Sequence, residues 1–236
     1  LQGIEARLPR EEDRTLTFLG RAPNADDLRV LNVFGDLYAL GCASLAVWGS
    51  HTEGDETLVA RNFDFPALDL VVGRQHVRVA APREGARGHV GVGYPGGIGL
   101  LTVLNDAGVF AAIHDVHTSP GMQDLAEKNV PRLLAIRRLA ETLSASRAVE
   151  EATKACRGWN TLYGNNFLVA TPQPGEGVHA GVLEYDTRTA DDQGVDLRTA
   201  ATKDEHVLCT NHHLVRGRGE CWRYDLLTGA CRDDDP

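Results

Sequence analysis

Hydrophobic positions change their period along this chain, and the changes mark out a short helix, a run of strands, two helices and further strands. Leu28, Leu31, Phe34 and Leu37 recur at helical spacing. Asn24 stands where it can cap that helix, and Asp26 and Asp27 suit its positive end. Ala43 to Trp48 and Thr57 to Phe63 read as strands. The polar stretch His51-Thr52-Glu53-Gly54-Asp55-Glu56 between them predicts a hairpin turn. Further strands are expected at His76–Ala81, His89–Gly93, Gly99–Leu104 and Val109–His114, the last two joined across Asn105-Asp106-Ala107-Gly108. Asn129-Val130-Pro131 marks a helix start, followed by a stripe of Leu133, Ile136, Leu139 or Ala140, and Leu143. Ser144 and Ser146 break and re-cap the chain before a second helix from about Arg147 to Cys156. Strands resume at Asn166–Ala170, Val178–Tyr185 and His206–Thr210. This order predicts an α+β fold with helices layered on mostly antiparallel sheets. Trp222 and Tyr224 read as packing residues, and Asp233-Asp234-Asp235-Pro236 as a frayed end.

Composition narrows the class without choosing an activity. A chain of 236 residues, 42% hydrophobic and 24% charged, has the length of one large domain, or of two small ones, with a sufficient core. Disordered tails, collagen-like repeats and coiled coils are excluded. No apolar run approaches the ~20 residues that cross a bilayer, so no membrane span is expected. Leu1 to Arg10 has no signal-peptide pattern, which favours a cytoplasmic protein. The first residue is not Met, which leaves room for a removed upstream segment. A net charge of −9 repels phosphate backbones and argues against nucleic acid as a partner. Five cysteines, at 42, 156, 209, 221 and 231, form no CxxC pair, and an odd count leaves at least one thiol free. Cys221 and Cys231 lie near enough in sequence to bridge in an oxidising compartment.

Three constellations carry chemistry. Gly41-Cys42-Ala43-Ser44 lies where a helix gives way to a strand, and the glycine leaves the carbonyl before the thiol open. The partner strand runs through Arg61-Asn62-Phe63-Asp64, two charges in an otherwise apolar run. A cation lowers a neighbouring thiol's pKa and a carboxylate orients an amine. Read as structure alone, the same residues are a buried Cys42 beside an Arg61–Asp64 ion pair. Alternation places Arg61 and Asp64 on opposite faces, so the strand has to bend or end near Asn62 for both to reach Cys42. A rival constellation, His114-Asp115-Val116-His117 with His212-His213, offers ligands of the kind zinc takes. The spacing of His114 and His117 suits a helix better than the expected strand, and His212 and His213 would point apart. Tyr94-Pro95-Gly96-Gly97-Ile98-Gly99 contains a GGxG, but between strands, so no dinucleotide is expected and no cofactor is called for.

The segments Asp36-Leu-Tyr-Ala-Leu-Gly-Cys-Ala-Ser-Leu-Ala-Val-Trp-Gly49 and Ala60-Arg-Asn-Phe-Asp-Phe65 resemble the signature of the cysteine N-terminal-nucleophile hydrolases. The branch they are most similar to is the isopenicillin N acyltransferase (acyl-coenzyme A:6-aminopenicillanic acid acyltransferase) family, with bile salt hydrolases and acid ceramidase more distant. Tyr94-Pro-Gly with Leu104-Asn-Asp-Ala-Gly108, Val130-Pro-Arg-Leu-Leu134 and Cys209-Thr-Asn-His-His213 follow in the family's order, so the resemblance runs from about Asp36 to Tyr224. It implies a four-layer αββα sandwich and a self-processing amidohydrolase or acyltransferase. Residues 1–41 would form a pro-segment or small chain, and residues 42–236 the catalytic domain. Cys42 would attack the carbonyl of Gly41, cut the Gly41–Cys42 bond, and then combine the nucleophile with a free α-amine as its base. Arg61 and Asp64 match the family's pair beside the nucleophile. Asn211 matches the residue whose side-chain amide helps form the oxyanion hole, and His114 the position whose main-chain N–H is the second donor. The implied partner is a small amide or acyl substrate, in a monomer or a homo-oligomer. The family would continue with further strands beyond Tyr224. Two readings from other classes are a non-catalytic small-molecule binding protein of the same fold and a His-based metal-dependent hydrolase.

Overall fold

The computed structural model describes residues 20–33, 41–54, 56–64, 73–116, 129–172, 177–186, 194–201, 204–217 and 220–231. Two antiparallel sheets face one another. The smaller has the order β10-β1-β2, with β1 Gly41–Val47, β2 Leu58–Asp64 and β10 His206–Cys209. The larger runs β3 to β9 in chain order: His76–Ala80, His89–Gly93, Thr102–Asn105, Phe110–Asp115, Asn165–Ala170, Ala180–Tyr185 and Val195–Thr199. Four α-helices, α1 Ala25–Val33, α2 Arg132–Thr142, α3 Ala148–Arg157 and α4 Trp222–Ala230, and two short 3-10 helices, Gly49–His51 and Ala145–Arg147, complete the described elements. The α+β class and the β1–β2 hairpin of the sequence are both present.

Alternation along the strands sorts the core into two layers. On one face of the large sheet, Val103, Ile113, Phe167 and Leu183 pack against Ile136 and Leu139 of α2 and Val149 of α3. Each such fully buried side chain contributes about 1.5–3 kcal/mol. On the other face, Leu168 and Val182 meet Ala46 and Val207 of the small sheet. Where the sheets end together, Trp48 stacks on His179 at 5.1 Å between ring centroids.

Departures from the expected elements have physical causes. The strand expected from Gly99 starts at Thr102, because the Leu100 N–H donates to the Leu133 carbonyl of α2. Strand β9 went unread because Asp196 and Arg198 stand on its inward face, where an apolar pattern would be sought. Helix α4 has no buried residue, so it carries no apolar stripe. Trp222, expected to pack, is 70% exposed. Cys221 and Cys231 are both free thiols at the two ends of α4. A helix rises about 1.5 Å per residue, which holds them too far apart for a disulfide. Phe34 and Leu37 of the first expected helix lie outside the described residues.

Of the two buried residues of helix α1, Leu28 and Asn32, the second ties the helix to the rest by hydrogen bonds. Asn32 Nδ2 donates to the carbonyls of Leu28 at 2.8 Å and Gly96 at 3.0 Å, and its Oδ1 accepts the Ile98 N–H at 2.5 Å. Gly96 has φ +77°, and a Cβ there would meet Leu31 Cδ2 at 2.8 Å, so the loop needs glycine where the helix rests on it. Asn32→Leu should lower unfolding free energy by about 1–3 kcal/mol, because Gly96 and Ile98 lose their partner, and a urea titration measures it.

Candidate active site

Strand β1 turns Cys42, Ser44 and Ala46 toward the large sheet and leaves Gly41, Ala43, Leu45 and Val47 on its other side. Cys42 is 1% exposed. Its Sγ lies 3.4 Å from Arg61 Nη2. The same guanidinium donates to the Ile113 carbonyl at 2.6 Å and to Thr102 Oγ1, and stacks over Phe63 at 5.2 Å. Arg61 is thus held by both sheets with its charge against the sulfur. The expectation that this contact lowers the thiol's pKa below its ordinary value is corrected by the burial. Desolvation pushes Cys42 up to about 11, and Arg61, the largest opposing influence, offsets only part of it.

Asp64 occupies the other side of the strand pair. The β1–β2 register places Asp64 opposite Gly41 and Phe63 opposite Cys42. Its Oδ1 accepts from Asn62 Nδ2 at 2.8 Å, and its Oδ2 lies 3.4 Å from Arg223 Nη2. A Cβ at Gly41 would come within 3.0 Å of Asp64 Cβ and 3.1 Å of Arg223 Nη2. Strand β2 neither bends nor ends at Asn62, so Arg61 attends the thiol while Asp64 flanks Gly41. The reading as a mutual ion pair fails for the same reason, since the two side chains point to opposite faces.

Asn211 completes a ladder that the backbone abandons. Strand β10 pairs with β1 only up to Cys209, which faces Ser44, and the chain then turns away. Continued, that register would set Asn211 against Cys42. Its side chain takes the place instead: Oδ1 accepts the Cys42 N–H at 2.6 Å and Arg223 Nη1 at 2.9 Å, and Nδ2 donates to the Asp115 carbonyl at 2.6 Å. Donors at one end and an acceptor at the other fix which way the amide points. The oxygen, not the NH₂, faces the nitrogen of Cys42.

His114 stands elsewhere than expected. The Val116 N–H donates to Gly164, and in the same register His114 is paired with Asn166, so its main-chain N–H belongs to the β6–β7 ladder. The main chain that faces the site comes from its neighbours: the Ile113 carbonyl receives Arg61 and the Asp115 carbonyl receives Asn211. The His114 side chain is fully buried, with Nε2 2.7 Å from Ser44 Oγ, and burial keeps the ring neutral. Asp115 points the opposite way, to a buried ion pair with Arg132 at 2.9 Å. Opposed faces keep His114 and Asp115 from sharing a metal ion. His212 turns to Thr210 Oγ1 and His213 to the Asn165 carbonyl, and His117 lies outside the described residues. Among the described residues no three His, Cys, Asp or Glu side chains gather for an ion.

Cys42, Arg61 and Asn211 therefore meet around one atom group, with Asp64 across the strand. Sequence reasoning did not find Arg223, which joins Asp64 to Asn211 and sits on the unread helix α4. Thr102 was equally silent, because a threonine in a strand is ordinary.

The model of the acyl-coenzyme A:6-aminopenicillanic acid acyl-transferase family matches residues 51–220, beginning downstream of Cys42. No curated protein sequence matches the chain. Among solved structures it is similar to a Caenorhabditis elegans N-acylethanolamine-hydrolyzing acid amidase ortholog, at a TM-score of 0.59 and 14% identity, covering 79% of this chain and 77% of that one. It also matches a mutant conjugated bile acid hydrolase from Clostridium perfringens, at a TM-score of 0.49 and 14% identity, over 79% of this chain. The chain spans 56% of that hydrolase. At 14% identity the amidase structure speaks for the fold alone, which is that of the N-terminal-nucleophile hydrolases.

Because Arg61 is the main influence holding the Cys42 pKa down, Arg61→Ala should raise it further. The rate of iodoacetamide alkylation against pH, read by mass on the Cys42 peptide, should shift to higher pH. An unchanged profile in a folded variant would separate Arg61 from the thiol.

Proposed function

Because the chain belongs to the acyl-coenzyme A:6-aminopenicillanic acid acyl-transferase family, we propose that it is a self-processing cysteine enzyme that acts on amides. The observation that carries this reading is the surroundings of one peptide bond. Its nitrogen donates to Asn211, Arg61 touches the adjoining sulfur, and Asp64 and Arg223 crowd the glycine side.

Those contacts support the following course of maturation. The Cys42 thiol gives up its proton and its sulfur adds to the Gly41 carbonyl carbon. The C–N bond breaks, the nitrogen takes the proton, and a thioester joins Gly41 to the sulfur. Water then adds to the thioester, leaving a Gly41 carboxylate, the thiol and a free Cys42 amine. Asn211 Oδ1, already on that nitrogen, orients the amine. An α-amine has an ordinary pKa of about 7.7–8.0, so it can take the thiol proton near neutral pH. The same thiol attacks a substrate amide and forms an acyl-enzyme. Water or an acceptor amine resolves it, giving hydrolysis or acyl transfer. An oxyanion would need donors at the carbonyl, and an Asn211 whose NH₂ turns from the Asp115 carbonyl toward the substrate would be one.

Scission should give pieces of 41 and 195 residues, read by intact mass and N-terminal sequencing. Cys42→Ala should abolish it; a Cys42→Ala chain that is still cut would point to an outside protease. With the precursor thiol at about 11, the thiolate fraction climbs with pH, so scission should quicken about tenfold per unit between about pH 7 and 9. In mature enzyme, Asn211→Ala should lower kcat by ~10²–10³ with the fold retained; an unchanged kcat would remove Asn211 from the site.

A further inference from the structure

The inner face of the large sheet carries a row of fully buried polar residues across three neighbouring strands. His114 on β6, Asn166 on β7 and Glu184 on β8 are consecutive cross-strand partners, and each is 0% exposed. Directly opposed residues share a face, so all three look toward the small sheet. Buried polar groups are costly unless they are used, and each of these holds a different part of the layer above. His114 takes Ser44 on the strand of Cys42. Glu184 accepts the N–H groups of Leu214 at 2.8 Å, Val215 at 2.8 Å and Arg216 at 3.0 Å, and pairs with Arg198 at 3.1 Å. Asn166 lies between them. Its Nδ2 donates to the carbonyl of Thr210 at 2.9 Å and to that of His212 at 2.7 Å. Those are the carbonyls on either side of Asn211.

We propose that Asn166 is the positioning residue that aims Asn211 at Cys42. The chain leaves the β10 ladder after Cys209 and has to present Asn211 by its side chain, which turns two neighbouring carbonyls down into the space between the sheets. A neutral group with two hydrogens on one nitrogen satisfies both at once. Aspartate has the same shape and no donor, and leucine has neither donor nor acceptor. With the carbonyls released, Asn211 Oδ1 loses its fixed approach to the Cys42 nitrogen. The mechanistic weight of this assignment rests on the reading above that Asn211 serves Cys42; the geometric part does not.

Hydrogen–deuterium exchange decides the geometry without any turnover. The probe is the uncleavable Cys42→Ala chain, which keeps the main-chain N–H that Asn211 accepts. Adding Asn166→Leu, or Asn166→Asp where the leucine variant does not fold, should speed exchange at residue 42 by about tenfold or more, while the amides of Val103 and Phe167 keep their rates. Unaltered exchange at residue 42 overturns the proposal, and so does a uniform acceleration at all three positions, which marks a merely structural role. The second measurement is scission at Gly41–Cys42 in a chain that retains Cys42, with Asn166→Leu, Asn211→Ala and both. If Asn166 acts through Asn211, the second substitution should cost less than about twofold once the first is made. Penalties that multiply overturn it. A parent chain that never cleaves sinks the maturation reading instead, and the exchange experiment still decides Asn166.

Discussion

A main-chain N–H buried between two sheets has to donate to something, and at Cys42 the strand that would accept it has already turned away. Most of the site is an answer to that one demand. Asn211 supplies an oxygen from its side chain, and the rest of its amide is committed to the Asp115 carbonyl. Arg223 adds a second donor to the same oxygen and reaches on to Asp64. A side chain standing in for backbone can rotate, tilt or let go, which a ladder partner cannot. The local end of β10 thus places an adjustable contact at the nitrogen of a peptide bond that is otherwise ordinary strand.

Two charges flank that bond from opposite faces because a strand cannot do otherwise. Arg61 and Asp64 are three residues apart, so the pleat separates them, and the plane of the small sheet runs between. One consequence is that neither neutralises the other. Arg61 is buried against sulfur, a hydroxyl and a carbonyl, while Asp64 keeps one edge toward solvent and shares Arg223. The cation's pull on the thiol is real but smaller than the cost of exposing a thiolate to that interior.

Much of this architecture was legible in the residues, and the illegible parts share a cause. Strand pairs such as β1–β2 and β5–β6 announce themselves through apolar runs and polar turns. Arg61 stood out as a charge in a strand, and the alternation argument correctly set it apart from Asp64. What could not be read was anything that depends on where one element stops relative to another. The orientation of the Asn211 amide follows from β10 ending at Cys209, and the exclusion of the His114 N–H follows from the β6–β7 register. Arg223 was hidden because helix α4 buries no face, so no periodicity marked its existence. The depth of Cys42, and with it the direction of its pKa, needed the large sheet in place above it.

The deep seat of that sulfur has a bearing on the protein's chemical durability. Thiolates attack peroxides and disulfides, and they do so more readily the more exposed they are. In the intact chain Cys42 is protonated and shielded, and Cys156 and Cys209 are pushed up further still by burial alone or nearly so. Burial therefore slows the reaction of all three thiols with peroxide and glutathione disulfide, and it keeps Cys42 in its thiol form in the intact chain.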